Sequence, residues 1–446
     1  MSLFNIPKRE ADDINKIVSK VQLVKEFKPT IKVKSGTVLS TLEMIKANVE
    51  KNLGTYHCLL LDSDEKWLSY CKNTSIGEII SLDTETSGLT FQDQVDGVAG
   101  VCIKSWNQTE AYAPIGHISS ITEGLFPNQV SREAIRQGFE ILKKHQCKYI
   151  FHNAYYDLVV LRGLLGYFVP VHWDTMVASF LLNENEPHGL KFLYDKYVMQ
   201  GKAGVHKFNE LFDGISFNYI PPNIGCKYSA HDTLMTEQLY KFQKPFFTKG
   251  SAECVQYKLD KIIDLYFSVE LPIVSVFADM KWEGVILDFK KAEELHNKYE
   301  KLKINAIKDF NRVVNQNKDK IDDYNNMHQE KLTLPVNYNS PPQLKVLIYD
   351  VLKTGVIFRK EPTGTGKAVI NEIMHNPKYE KKPVYALAKA LTKVKMYDKV
   401  LGSFVDKLPQ LAKYDGRVHA NFHSLGTKTS RISSSDPKFI GHTLCE

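Results

Sequence analysis

No run of the 446 residues approaches the ~18–20 consecutive apolar residues of a membrane-spanning helix. The opening residues, MSLFNIPKREADDINK, are charged early and hold no apolar core of signal-peptide length. Cysteine is scarce and dispersed: Cys58, Cys71, Cys102, Cys147, Cys226, Cys254 and Cys445. None stands close to another in sequence, which excludes a C-x-x-C zinc or redox motif. An odd, scattered set fits reduced thiols better than a disulfide framework. Internal repeats and low-complexity segments are absent. The net charge is a mild +7, which permits a polyanionic partner without demanding one. The expectation is a soluble chain of the cytoplasm with no membrane partner.

What is present suits a folded protein, with 43% apolar and 24% charged residues. The length predicts two or three domains. Residues 1–54 are polar and lysine-rich. Within them SGTVLSTLEMIKANVEKN predicts one helix, with Ser40 and Glu43 at capping-box spacing, in an appended segment that carries no chemistry. From 55 to 248 strands alternate with helices of 10–16 residues. YHCLLLD, EIISLD, VDGVAGVCIK, TEAYAPI and KYIFHNA read as strands; SDEKWLSYCKN and SREAIRQGFEILKKHQ read as helices. That mixture predicts a layered α/β domain. Residues 255–413 read as mostly helical. EELHNKYEKLKINAIKDFNRVVNQNKDKIDDY has the charge lacing of a solvated helical arm. Residues 378–413 hold nine lysines against three acids. Residues 414–446 form a last, short segment.

EIISLDTETSGLT places Asp83 and Glu85 two apart where a predicted strand leaves the core, hence on one side of it. Like charges so placed repel unless a cation sits between them. FHNAYYDLVVL follows a strand and opens a helix, with Asn153 and Asp157 four apart and so on one face. KYSAHDTLMTEQLY sets Tyr228 and Asp232 at the same spacing. Each pair alone is an ordinary strand end or helix surface. Three such pairs in this order and with these flanks point to one site.

Asp83-Thr84-Glu85, Asn153 to Asp157 and Tyr228 to Asp232 resemble the three exonuclease motifs of the DEDD 3′–5′ exonucleases, in the tyrosine-bearing form. The other form needs a histidine five residues before the last aspartate, where this chain has Lys227. The stretch HWDTMVASFLLNENEPHGLKFLYDKYV is similar to the segment after the second motif. The resemblance implies a ribonuclease H-like α/β fold and two divalent metal ions, Mg²⁺ first and Mn²⁺ as the alternative, held by Asp83, Glu85, Asp157 and Asp232. One ion would acidify a water and the other stabilise the leaving 3′ oxygen. Asp83 would be shared by both ions, Glu85 and Asp232 would complete one site, and Asp157 would serve the other through water. Tyr228 would orient the attacking water. Leu89 matches the apolar wedge that separates terminal bases, and Phe208 would stack on one.

In the second half, LPIVSVFADMKWEGVILD, NYNSPPQLKVLIYDVL and DGRVHANFHSLGTKTSRISSSDP resemble the connector, thumb and first palm segment of family A (polymerase I-like) DNA polymerases. Where the family has T-G-R-L-S-S, this chain has Thr429-Ser430-Arg431-Ile432-Ser433-Ser434, so Ser430 replaces the glycine. PTGTGKAV is no phosphate loop, because Glu361 and Ala368 stand where the Walker spacing needs Gly and Ser/Thr. Lys393, Lys395 and Arg431 suit contact with a DNA backbone or minor groove, and Asn153 joins them as a candidate DNA contact. After Pro437 the family pattern gives way to KFIGHTLCE, without the palm aspartates and fingers. The implied chain is a proofreading exonuclease joined to a thumb and an incomplete palm, from a virus of bacteria. It would act on single-stranded or frayed 3′ DNA ends, hold primer–template through the thumb, and polymerise only with a separate chain carrying the rest of palm and fingers. The rival readings are a free-standing DNA or RNA exonuclease and a non-catalytic DNA-binding fragment.

Overall fold

The computed structural model describes residues 38–119, 124–202, 206–212, 214–427 and 431–437. Residues 1–37 of the appended segment, Thr429 and Ser430, and the closing 438–446 with Cys445 lie outside the described residues. The chain divides into two compact units: residues 1–284 with 419–446, and residues 285–418. The sequence reading drew its lines elsewhere. The helices between 252 and 283, grouped there with the thumb, belong to the first unit, as do the palm-like residues from His419 onward.

The first unit is built on a six-stranded sheet. In chain order the strands are β1 (Leu59–Leu60), β2 (Ile79–Thr86), β3 (Val98–Ser105), β4 (Ala111–Pro114), β5 (Lys148–Phe151) and β6 (Val171–Asp174). They lie in the order β1-β4-β3-β2-β5-β6. β3 runs antiparallel to both of its neighbours, β2 and β4, and β5 and β6 continue parallel to β2. This is the mixed sheet expected of a ribonuclease H-like fold. β3 is buried along its whole length, which explains its unbroken apolar run.

Helices cover the sheet. They are α1 (Val38–Leu53), α2 (Asp64–Lys72), α3 (Phe91–Val95), α4 (Arg132–Lys144), α5 (Ala154–Leu165), α6 (Thr175–Leu182), α7 (Leu190–Leu193), α8 (Phe208–Phe212) and α9 (Pro222–Gln243). α4 shows why such segments fold. Ser131 caps it by accepting from the Ala134 N–H at 3.1 Å, and Ile135, Phe139 and Leu142 share its buried face. α1 is already helical at Val38, so Ser40 lies inside the helix rather than at its cap. Far from idle, α1 buries Ile45 and Val49 in the cluster that also holds Tyr112, Phe217 and Tyr228. α10 (Ala252–Tyr257), α11 (Asp260–Leu265) and α12 (Leu271–Glu283) complete the unit's helices.

In the second unit, α13 (Phe289–Asn315) and α14 (Lys318–Met327) form the expected charge-laced helical arm, which is solvated up to residue 305 and packed beyond it. Ala306, Phe310, Val313 and Val314 recur at i, i+4, i+7 and i+8, and they bury one face of α13. The arm's charges mark only the opposite face. α15 (Pro341–Lys345), α16 (Lys367–His375), α17 (Pro383–Val400) and α18 (Lys407–Leu411) follow. Phe310, Ile348, Ile373 and Val394 form the centre of this core. A two-stranded ribbon pairs β7 (Val285–Ile286) with β8 (Arg417–Val418). Back in the first unit, β9 (Asn421–His423) pairs with β10 (Ser433–Ser435). His419 stacks on Phe91 with centroids 3.6 Å apart, and its Nδ1 donates to the Lys281 carbonyl at 2.6 Å.

One buried side chain fixes the junction that the site needs. Asp174 ends β6 and caps α6, accepting from the N–H groups of Met176 and Val177 at 2.9 and 3.2 Å. The same carboxylate accepts from Asn153 and Ala154, at 3.1 and 2.7 Å, where α5 begins. Replacing Asp174 by alanine strands four backbone donors, those of Ala154 and Val177 buried. The expected cost is about 3–4 kcal/mol, read from the urea midpoint of the first unit. Asp174→Asn keeps an acceptor and should lose distinctly less; equal losses would contradict this role.

Candidate active site

β2 is the starting point. Its alternation turns Asp83 and Glu85 to one side and Thr84 to the other. The register with β3 slips between Glu85 and Thr86, a local irregularity that re-aims the strand end. Cys102 lies opposite Asp83 in that register. The ligand atoms of Asp83, Glu85 and Cys102 all fall within 4.8 Å of one another. Cys102 is fully buried, and that burial pushes its thiol well above the ordinary range, with Asp83 adding to the effect. That favours the protonated thiol, and leaves the carboxylates as the hard oxygen donors of the three.

Asp157 comes from the first turn of α5 and is only 2% exposed. Thr84 crosses from β2 and donates to its Oδ1 at 2.6 Å. Asn153 does not share a helical face with Asp157, as the spacing had suggested. It precedes the helix in the left-handed region, at φ 69° and ψ 54°, a conformation that asparagine tolerates. The left-handed turn brings the N–H groups of Asn153 and Ala154 onto Asp174.

α9 supplies Tyr228 and Asp232 one turn apart. Lys191, on the short helix α7, binds both: its Nζ donates to the Tyr228 hydroxyl at 2.8 Å and to Asp232 Oδ2 at 3.0 Å. The other oxygen of Asp232 is buried with no hydrogen-bond partner. Phe212 meets the Tyr228 ring edge-on with centroids 5.1 Å apart, which fixes its plane. All four acids and Tyr228 line one pocket of about 600 Å³, together with Leu89, Asn153 and Phe208. Leu89 stands at its rim, 78% exposed.

The electrostatics are those of a site short of positive charge. Burial raises Asp83 well above the usual carboxylate range, and Asp157, Glu85 and Asp232 push it the same way. Glu85 is raised to about 8 by burial and by Asp232, with Lys191 opposing. Asp157 is raised to about 7 by burial, against the hydrogen bond from Thr84. A cluster of buried oxygen donors, one of them with an unsatisfied oxygen, fits hard divalent ions.

With that geometry in view, comparison with known proteins is decisive. Residues 60–245 match the 3′–5′ exonuclease family model, and residues 306–440 match DNA polymerase family A. The chain joins a 3′–5′ exonuclease domain to a DNA polymerase family A region. DNA polymerase I of Pseudomonas aeruginosa is 26% identical over 398 residues, covering 84% of this chain and 37% of that protein. The DNA polymerase of Escherichia phage T5 is 24% identical over 443 residues, covering 94% of this chain and 46% of the phage protein. The chain thus spans less than half the length of the curated family A relatives it matches. Among solved structures, the POL domain of Pol1 from M. smegmatis, in complex with DNA primer-template and dNTP, shares the fold. It superposes with a TM-score of 0.55 at 18% identity, over 84% of this chain and 53% of that one. The exonuclease domain of this family works with divalent metal ions, a requirement that the four acids fit.

The remaining sequence candidates are not among the residues that line the pocket. Lys393 and Lys395 lie on the exposed side of α17 in the second unit, and Lys395 bonds the Asn339 side-chain oxygen. Arg431 is exposed, with its backbone N–H on Thr427 at 2.9 Å. Among the described residues no helix is long and apolar enough to cross a membrane.

The raised acids make a sign-specific prediction. Their folded-state pKa values lie above those of the unfolded chain, so the stability they contribute is complete below about pH 4. It is lost as pH rises through about 7 to 8. In EDTA, the thermal midpoint of the first unit should therefore fall between about pH 6 and pH 9. Saturating Mg²⁺ or Mn²⁺ should remove most of that fall, and Glu85→Gln should blunt it without metal. An identical fall with and without metal would contradict the assignment.

Proposed function

We propose that this chain carries the 3′–5′ proofreading exonuclease of a family A DNA-directed DNA polymerase. In this reading it hydrolyses the terminal phosphodiester of single-stranded or frayed 3′ DNA ends. Residues 55–248 are its exonuclease domain, 255–413 its connector and thumb, and 414–446 the first part of its palm, with 1–54 appended. The observation that carries the reading is the gathering of Asp83, Glu85, Asp157, Asp232 and Tyr228 around one pocket. Asp83, Glu85, Asp157 and Asp232 would hold two divalent ions, Mg²⁺ in the first place. Such ions, when bound, supply an acidified water and stabilise charge on the leaving oxygen.

The chain's own residues do the rest. Tyr228 is buried and its hydroxyl pKa is pushed up by burial and by Asp232, so it stays a neutral donor that can orient a water. Lys191 holds that hydroxyl and Asp232 in one arrangement. Leu89 at the rim would part the last base pair, and Phe208 and Asn153 would line the path of the strand. Lys393, Lys395 and Arg431 are proposed contacts to the DNA backbone of primer–template. A second chain carrying the rest of palm and fingers is the further partner of this reading.

The double substitution Asp83→Ala, Glu85→Ala should lower metal-dependent trimming of a 3′-labelled DNA oligonucleotide by about 1,000-fold or more. Unchanged trimming would refute the site, and equal or faster cleavage of matched RNA would refute the substrate. Lys191→Met should cost about 10–100-fold, as expected for a residue that orients others. Leu89→Ala should slow trimming of duplex ends more than of single strands.

A further inference from the structure

Two cysteines that are 168 positions apart meet beside the site. The Sγ atoms of Cys58 and Cys226 lie 3.0 Å apart. Cys58 immediately precedes β1 and is partly exposed, whereas Cys226 is buried on α9, two residues before Tyr228. The Cys226 thiol also faces the Leu59 carbonyl at 3.6 Å. Of the six described cysteines, which are all free thiols, these are the two that a hydrogen bond joins. Nothing in the proposed reaction uses them.

We propose that Cys58 and Cys226 form a reversible dithiol–disulfide site that ties β1 to α9 under oxidising conditions. A disulfide needs its sulfurs at about 2.05 Å, so an approach of about 1 Å closes the bond. The two thiols are unlike. The hydrogen bond from Cys226, aided by Lys227, lowers the Cys58 thiol, while the same bond and burial raise Cys226. Cys58 is thus the accessible nucleophile and Cys226 the resolving thiol. With hydrogen peroxide as oxidant, the Cys58 thiolate attacks a peroxide oxygen and gives a sulfenic acid and hydroxide. The Cys226 sulfur then attacks the Cys58 sulfur. The S–OH bond breaks, and the hydroxyl leaves with the Cys226 proton as water. Two thiols lose two electrons in all, and one peroxide becomes two waters.

The consequence is mechanical. α9 carries Tyr228 and Asp232, and Lys227 already ties it to α1 through Glu50 Oε2 at 3.1 Å and the Gly54 carbonyl at 3.2 Å. A covalent link at Cys226 would pin the same turn to the sheet edge and close a long loop through the exonuclease unit. Closing such a loop restricts the unfolded chain, so the linked unit should melt higher.

The test uses the full chain, first reduced and desalted, then treated with a small excess of hydrogen peroxide. The expected results are a loss of two titratable thiols per chain, a Cys58–Cys226 linked peptide in a non-reducing digest, and a thermal midpoint of the first unit raised by about 5–15 °C. Dithiothreitol should reverse all three. In Cys226→Ser, Cys58 should stop at a sulfenic acid that dimedone traps, with no linked peptide and no rise. The proposal is overturned if Cys58 is consumed without that peptide, if Cys71, Cys102, Cys147 or Cys254 oxidises as fast, or if the bridge lowers the midpoint.

Discussion

Repulsion among carboxylates confined to one pocket is the constraint on which this structure turns. Asp83, Glu85, Asp157 and Asp232 share the pocket, and Lys191 pairs with Asp232 beside it. Left to itself, such a cluster would splay apart or take up protons. Burial, joined at Asp83 and Glu85 by mutual repulsion, pushes all three of Asp83, Glu85 and Asp157 upward, in the direction of the second response. The first is resisted by supports with no direct part in the chemistry. Thr84 holds Asp157, the Asp174 carboxylate holds the turn ahead of α5, and Phe212 sets the ring of Tyr228. Strain of this kind is tolerated where a bound ligand relieves it.

The sequence showed what is local. Two-residue spacing on a strand and four-residue spacing on a helix identified Asp83, Glu85, Tyr228 and Asp232, because those periods report which side chains share a face. The family motifs then joined the three segments, which periodicity alone could not do. Most of the missed features are non-local. Lys191 sits on a four-residue helix with no pattern of its own, and only the fold brings it to Asp232. Cys102 reaches the acids through strand register, and Asp174 reaches α5 through a turn 20 residues away. Asn153 was misplaced because four-residue spacing assumes a helix that has not yet begun there.

The second unit repeats the lesson from the opposite side. Charge along residues 293–324 suggested a solvated arm, and α13 is indeed without a buried residue up to 305, yet four apolar residues at helical spacing bury one face of its C-terminal part. Counting charges describes the wet face and overlooks the dry one. The lysines of α17 divide in the same way: Lys393 and Lys395 are exposed while Val394 between them is fully buried. A basic face displayed on a packed helix is a suitable surface for a nucleic-acid backbone, and the core beneath it holds that surface rigid.

The most direct measurement is anomalous diffraction from crystals soaked in Mn²⁺. The account predicts Mn²⁺ peaks inside the pocket, with carboxylate oxygens of Asp83, Glu85 and Asp232 in the inner coordination sphere and Asp157 beside them. Mn²⁺ bound elsewhere on the chain, with the pocket vacant at saturating metal, would contradict it.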